Sequence, residues 1–345
     1  MAATPPDQDR TRAETLRRRV AVATVIACMP YLLLKICWVA GLSIGANDPT
    51  FADTTRGANV VTAGLEVAAT LLAVAFVHPL GRRIPAFLLA FPMWVATGLL
   101  APVVAGFALG TPAQLLSGAG NPLRSDVLDG WVFVLVYGGF VLQAVLLTVG
   151  FALHARERWP AATGVDPGRR IGQTVQAGAA TSGLEQVLGT FFVVSAVLFA
   201  LQQTAWSITG GGSFVDPTVA QRVMLLSGAG IAAAAAVMGR QLFKDGRLTT
   251  ARVAVVWTGG AVVFTSALVE TLKKVAIAPG DWGATTSAPG DAVLTLFVLL
   301  GVLGGSIGAA MRLGVAHEHA GRDGQEGARE GSRSEHQAQR HTPYA

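Results

Sequence analysis

Blocks of about twenty consecutive apolar residues, the length that crosses a bilayer core as a helix, recur along the chain and restrict its fold more than any other feature. In lipid the backbone must satisfy its own hydrogen bonds, so a block of this kind is expected to be helical. We place eight spans, over residues 20–42, 59–78, 84–107, 130–153, 186–208, 220–239, 252–272 and 291–312. Charged residues make up 14% of the sequence, against about a quarter in soluble domains. That deficit excludes an ordinary soluble fold. The chain is expected to be an all-α integral membrane protein, with the lipid bilayer as its first partner.

The formal net charge of +5 fits basic loops that set membrane orientation better than a nucleic-acid surface, and no nucleic-acid partner is expected. With the N-terminus inside, the cytoplasmic segments collect twenty Lys and Arg, including the five arginines before the first span, Arg82 and Arg83, Arg156 and Arg158, and Arg240 and Lys244. The opposite side collects five: Arg56, Arg124, Arg222, Lys273 and Lys274. Both termini are therefore expected in the cytoplasm of a bacterial cell, with the protein multi-pass in the plasma membrane. The arginine-rich start followed by an apolar run resembles a signal peptide, but the run continues to about Gly41 without a small-residue cleavage site, so an uncleaved first helix is expected. Cys28 and Cys37, the two cysteines, lie nine residues apart in this first span. About 13 Å of helix separates them, too far for a disulfide within the chain, so they are read as small packing residues.

The two halves of the chain match. "KICWVAGLSIGANDPT" (35–50) overlays "QTAWSITGGGSFVDPT" (203–218) at an offset of 168, aligning Trp38 with Trp206 and Asp48-Pro49-Thr50 with Asp216-Pro217-Thr218. Later matches drift to offsets of 164 to 162: Gly64 with Gly228, Arg83 with Arg247, Trp94 with Trp257 and Asp129 with Asp291. His154 aligns with His317. The expected architecture is eight transmembrane helices in a 4+4 parallel pseudo-repeat, as in transporters built from parallel repeats. Its parts are a disordered basic N-terminal tail (1–19), a first repeat (20–154), a cytoplasmic linker (155–185), a second repeat (186–312) and a disordered C-terminal tail (313–345).

Ionisable residues inside a membrane usually face a partner or a water-filled cavity, so the candidate site starts from them. Lys35 lies about six residues before the outer end of span 1, and Glu66 about seven residues into span 2, which puts both roughly 10 Å below the outer surface. Lys35 could reach outward to the headgroups, form an ion pair with Glu66, or line an outward-facing cavity. The repeat aligns Lys35 with Gln203 and Glu66 with Gly230, so the second half keeps a polar group and loses the acid. Gln202 and Gln203 are at similar outer-leaflet depth in span 5, where an interhelical hydrogen bond would satisfy either. Glu270, near the end of span 7, is expected either to pair with Lys273 one turn on or to contribute to the rim of the Lys35 region. Gln143, in the middle of span 4, is expected to bond to a neighbouring helix. Pro30, Pro92 and Pro102 mark possible kinks.

Span 8 carries "GVLGGSIGAA", with Gly301 and Gly305 on one ladder and Gly304 and Gly308 on another. Small residues four apart let helices approach closely, either within the chain or across a homo-oligomer or membrane-protein complex. "GGGS" at 210–213 lacks the Lys-Ser/Thr of a phosphate loop and is read as a flexible loop. His317, His319, His336 and His341 fall in a polar tail and are not read as a metal site. No zinc-protease helix, nucleophile elbow, Walker motif or Rossmann turn occurs, so no cofactor and no enzymatic activity are expected. A transporter-like bundle is the favoured expectation. A membrane interaction protein working through the glycine ladder is the alternative, and an intramembrane enzyme is third.

The first helix, with "PY", then "LLLK", Trp38 and Gly41, resembles the opening helix of actinobacterial multi-spanning membrane proteins of no assigned activity. The resemblance covers about a tenth of the chain. It implies a bacterial membrane protein and carries no chemistry with it.

Overall fold

The computed structural model describes residues 6–120, 127–158, 175–176, 183–211, 214, 216–245, 247–275 and 294–307. Among them, seven helical segments are long and apolar enough to cross a membrane, and the protein is an all-α, multi-pass membrane bundle. The helices are α1 (Pro6–Val39), the short α2 (Phe51–Thr54), α3 (Arg56–Ala75), α4 (Ala86–Ala105), α5 (Thr111–Leu116), α6 (Gly130–Arg158), α7 (Gly183–Thr209), α8 (Val219–Asp245) and α9 (Thr250–Val275). A π-helical turn over Gly106–Gly110 joins α4 to α5, making one apolar segment, Ala86–Leu116. The shorter apolar helix α10 (Leu294–Ile307) is the described part of the eighth expected span. Gly308, Asp291, the C-terminal tail and most of the 155–185 linker lie outside the described residues.

Two expectations change at the ends of helices. Residues 6–19, expected as a disordered tail, form the first turns of α1. An arginine-rich segment without internal proline or glycine continues a helix readily, and Arg17 is tied down by an ion pair with Glu157 near the end of α6. The third span extends nine residues beyond its expected end at 107, because the π turn carries the helix through Gly106 and Gly110. Glycine permits the close approach here: a β-carbon on Gly106 would lie 2.6 Å from the Met224 side chain, and one on Gly110 would lie 2.7 Å from the Ala220 carbonyl oxygen.

In the first half, α1 packs between α3 and α6, and α4 lies against α6. In the second half, α8 packs against α7 and α9. The halves join where α4 meets α9. Gly98 makes that contact possible, since a β-carbon there would sit 2.2 Å from the Ala261 carbonyl oxygen. Trp94 Nε1 donates to the Trp257 carbonyl at 2.9 Å across the same interface. The largest apolar core belongs to the second half, where Phe192, Ala232, Val262, Val298 and Val302 are buried together with Trp94 from α4.

Two short backbone pairings join segments outside the long helices. Ala46 bridges Leu128, joining the loop after α1 to the segment before α6. Val175–Gln176 pairs antiparallel with Arg247–Leu248, joining the linker to the α8–α9 turn. The two "DPT" loops start their next helices by different chemistry. Asp48 Oδ1 accepts from both the Thr50 N–H and its hydroxyl, each at 2.8 Å, an Asx turn. Thr218 and Gln221 instead exchange bonds, N–H to Oε1 at 2.8 Å and N–H to Oγ1 at 3.3 Å, which is a capping box.

Candidate functional site

The buried face of α1 is set by the 3.6-residue period of the helix. Steps of three and four residues place Arg17, Ala21, Thr24, Cys28, Tyr31, Lys35 and Trp38 on that face. From Ala21 onward every one of them is buried. On α3 the same steps bring in Asn59, Thr62, Glu66, Thr70 and Ala73, and on α6 they bring in Gln143, Leu147, Gly150 and His154. The seam between these three helices has an apolar cluster at each end. Leu34, Trp38 and Val132 pack near the start of α6, and Leu72, Phe76, Leu89, Met93 and Leu147 pack nearer its end. The polar residues lie mostly between the two.

Lys35 is 7% exposed. Its Nζ donates to Asn59 Oδ1 at 2.8 Å and lies 4.9 Å from the Tyr31 ring centroid and 4.7 Å from that of Trp38. Cations over aromatic faces are held by the ring quadrupole, more strongly where water is excluded. Asn59 is in turn oriented by Thr55, whose Oγ1 accepts from Asn59 Nδ2 at 2.9 Å. Of the three possibilities for Lys35, outward reach to the headgroups is therefore not the one taken.

Glu66, 4% exposed, forms a separate station. Its Oε1 accepts from Gln143 Nε2 at 2.8 Å, and Gln143 Nε2 also lies 3.5 Å from the Ala27 carbonyl oxygen. The Cys28 thiol lies against Glu66 and Thr70. No ion pair joins Lys35 to Glu66 among the described residues. The expected equal depth fails for a geometric reason. α1 ends at Val39 rather than 42, so Lys35 lies nearer its end. α3 begins at Arg56, which puts Asn59 opposite Lys35 and Glu66 two turns, about 10 Å, deeper.

The other expected site residues are not brought to Lys35. Gln202 and Gln203 belong to α7, which packs chiefly on α8; Gln202 Nε2 and Gln203 Oε1 are buried with no hydrogen-bond partner among the described residues. Glu270 is buried on α9, whose neighbours are α4, α7 and α8, so it does not rim the Lys35 region. Its expected pairing with Lys273 lies outside the described side chains. The expectation for Gln143 is met, and it bonds Glu66 itself.

Asn59 was not singled out from the sequence. The signal was present, since it precedes Glu66 by seven residues and so shares its face. His154, known only as a repeat match, is 3% exposed, and its Nδ1 hydrogen-bonds the Phe76 carbonyl at 3.2 Å. Close to it a small void, with room for about one water, is lined by Arg17, Thr24, Ala73, Phe76 and Gly150.

The glycine ladder of α10 faces α7 of the same chain. A β-carbon on Gly301 would lie 2.0 Å from Ser195 Oγ, and one on Gly305 would lie 2.1 Å from the Phe192 β-carbon. On Gly304 it would lie 3.3 Å from Leu188. Gly301 and Gly305 are buried in this internal contact, and Gly304 is half-buried. No protein-family model, curated protein or solved structure matches the chain.

Proposed function

We propose that the protein is a transporter-like carrier of the bacterial plasma membrane, without enzymatic activity, whose working site is the α1–α3–α6 seam. One observation carries this reading. Two ionisable side chains, Lys35 and Glu66, are buried on one seam at membrane depth, each on a neutral amide partner rather than on the other. A purely structural role is served best when such charges neutralise each other. Amide partners leave the charge in place, available to a solute or ion entering the seam.

The arginine asymmetry supports a cytoplasmic N-terminus, which makes the Lys35 end of α1 the outer end. Duplication is supported by burial at positions 168 apart: Thr24, Cys28 and Tyr31 on α1 correspond to Phe192, Ala196 and Phe199 on α7, all buried. It is also supported by α4 packing on α9, the third helix of each half on its counterpart, through the aligned Trp94 and Trp257. Parallel repeats that meet on such an axis can rock against each other.

The native thiols test the reading. Cys28 is fully buried beside Glu66, and Cys37→Ala leaves it the only thiol in the chain. A carrier that opens outward exposes Cys28 to a membrane-impermeant maleimide applied from outside, with labelling at native temperature. A Cys28 that reacts only after denaturation would show a closed bundle and overturn the carrier reading.

A further inference from the structure

The two halves solve the same packing problem with different residues. On α7 the face that packs inside the second half carries Phe192, Ala196 and Phe199. At the corresponding positions α1 carries Thr24, Cys28 and Tyr31, followed by Lys35. Packing alone does not require a thiol, a phenol and an amine on one buried face, because the corresponding positions of α7 carry Ala196, Phe199 and Gln203. Burying polar groups is costly unless they are used in hydrogen bonds or in function.

At the centre of this polar face is a carboxyl whose Oε1 is held by Gln143. That bond persists whether or not Glu66 carries a proton, and Oε2 is left to carry it. The groups around Glu66 are Cys28, Tyr31 and Lys35 on α1, Gln143 on α6, and Thr70 on α3 itself, with Tyr137 of α6 next to Tyr31. α4 packs the apolar Leu89 and Met93 into the cluster that holds Leu72 and Ala73 of α3. Toward the α1 N-terminal end, polar groups continue at helical intervals. Thr70 lies against Cys28, Thr24 is one turn below Cys28, and the void beside Thr24 reaches Arg17. His154 and the Arg17–Glu157 pair complete the series.

We propose that Glu66 binds and releases a proton, exchanging it with the α1 N-terminal side past Thr70, Thr24 and the void, so that the ligand of this seam includes H⁺. Uptake forms the Oε2–H bond and release breaks it, with one positive charge moving in each direction and no other reactant. The inference rests on the carrier reading for its purpose, but proton exchange at Glu66 is measurable by itself.

The experiment is pH-jump difference infrared spectroscopy on the full chain in lipid membranes. The wild type shows a protonated-carboxyl C=O stretch that titrates with bulk pH and is lost in Glu66→Gln. Gln143→Met moves that band to higher frequency, because the donor to Oε1 is gone. Thr24→Val slows its appearance after the jump, and an unchanged rate would remove the inward route. Coincident titrating bands in wild type and a folded Glu66→Gln overturn the proposal. If Glu66→Gln does not fold, an unmoved band in Gln143→Met overturns it instead. A titrating Glu66 with an unlabelled Cys28 keeps the proton site and removes the carrier; a labelled Cys28 without the band does the reverse.

Discussion

Lys35 and Asn59 meet across the α1–α3 seam, with the lysine Nζ 2.8 Å from the asparagine Oδ1. Asn59 is 2% exposed and Lys35 7%, so neither exchanges this bond for water at little cost. Asn59→Leu leaves a buried ammonium with aromatic faces but without its acceptor. Leaving such a group unsatisfied costs about 1–3 kcal/mol, more for a charge. The expected result is a loss of that size in thermal or denaturant unfolding in detergent. Lys35→Met in the same background recovers most of it, because the stranded charge is gone. Additive losses in the two single variants and the double variant would show that the residues do not interact.

Glu66 and Gln143 behave differently because their bond has a neutral donor. Gln143→Leu removes the Oε1 donor and the contact with the Ala27 carbonyl together. The expected destabilisation is about 1–3 kcal/mol. Glu66→Gln keeps an oxygen that can accept from Gln143 and is expected to unfold close to wild type. A Gln143→Leu protein as stable as wild type would mean that the bond contributes nothing.

The Asp48 loop carries a pH dependence of readable sign. The Thr50 N–H and hydroxyl both donate to Asp48 and favour its ionised form, holding its carboxyl below the usual carboxylate range. A folded pKa below the unfolded value, about 3.9 for aspartate, adds stability that is fully present above the unfolded pKa and is lost as pH falls through the folded one. The loop is therefore expected to hold its structure from neutral pH down to about 4 and to loosen only below. A carboxyl-carbon NMR titration checks this. Thr50→Val, which removes the hydroxyl donor, shifts the Asp48 midpoint upward; an unchanged midpoint would remove the hydroxyl from the account.

The membrane class was legible because span length and charge depletion are properties of whole segments. Lys35 and Glu66 were legible as charges within the bundle because charge in an apolar block is conspicuous. Their partners were not. Pairing across helices depends on where each helix starts. The positions of α2 and of the first turn of α3 set Asn59, rather than Glu66, against Lys35. The π turn at Gly106–Gly110 was also hidden, since its glycines read equally well as a helix end. Gln143 was recognised as a residue in need of a partner, but only the meeting of α6 with α3 shows that the partner is an acid.

The glycine ladder separates internal packing from assembly. Gly301 meets the Ser195 hydroxyl, and Gly305 meets the Phe192 β- and α-carbons of α7 so closely that a larger side chain there must displace a helix. Overfilling a packed interface costs about 1–3 kcal/mol, occasionally more. Because a side chain at Gly305 would press on Phe192 atoms at and next to the α7 backbone, Gly305→Leu is expected at the upper end of that range or beyond. Gly304→Ala, whose β-carbon has 3.3 Å to the end of Leu188, is tolerated because that side chain can rotate away. The unfolding midpoint in detergent should fall steeply for Gly305→Leu and little for Gly304→Ala. Light scattering should give the wild-type mass for both folded variants. If Gly305→Leu instead left the midpoint in place and lowered the oligomeric mass, the ladder would be an interface between chains, and the α7–α10 contact would not be what selects glycine there.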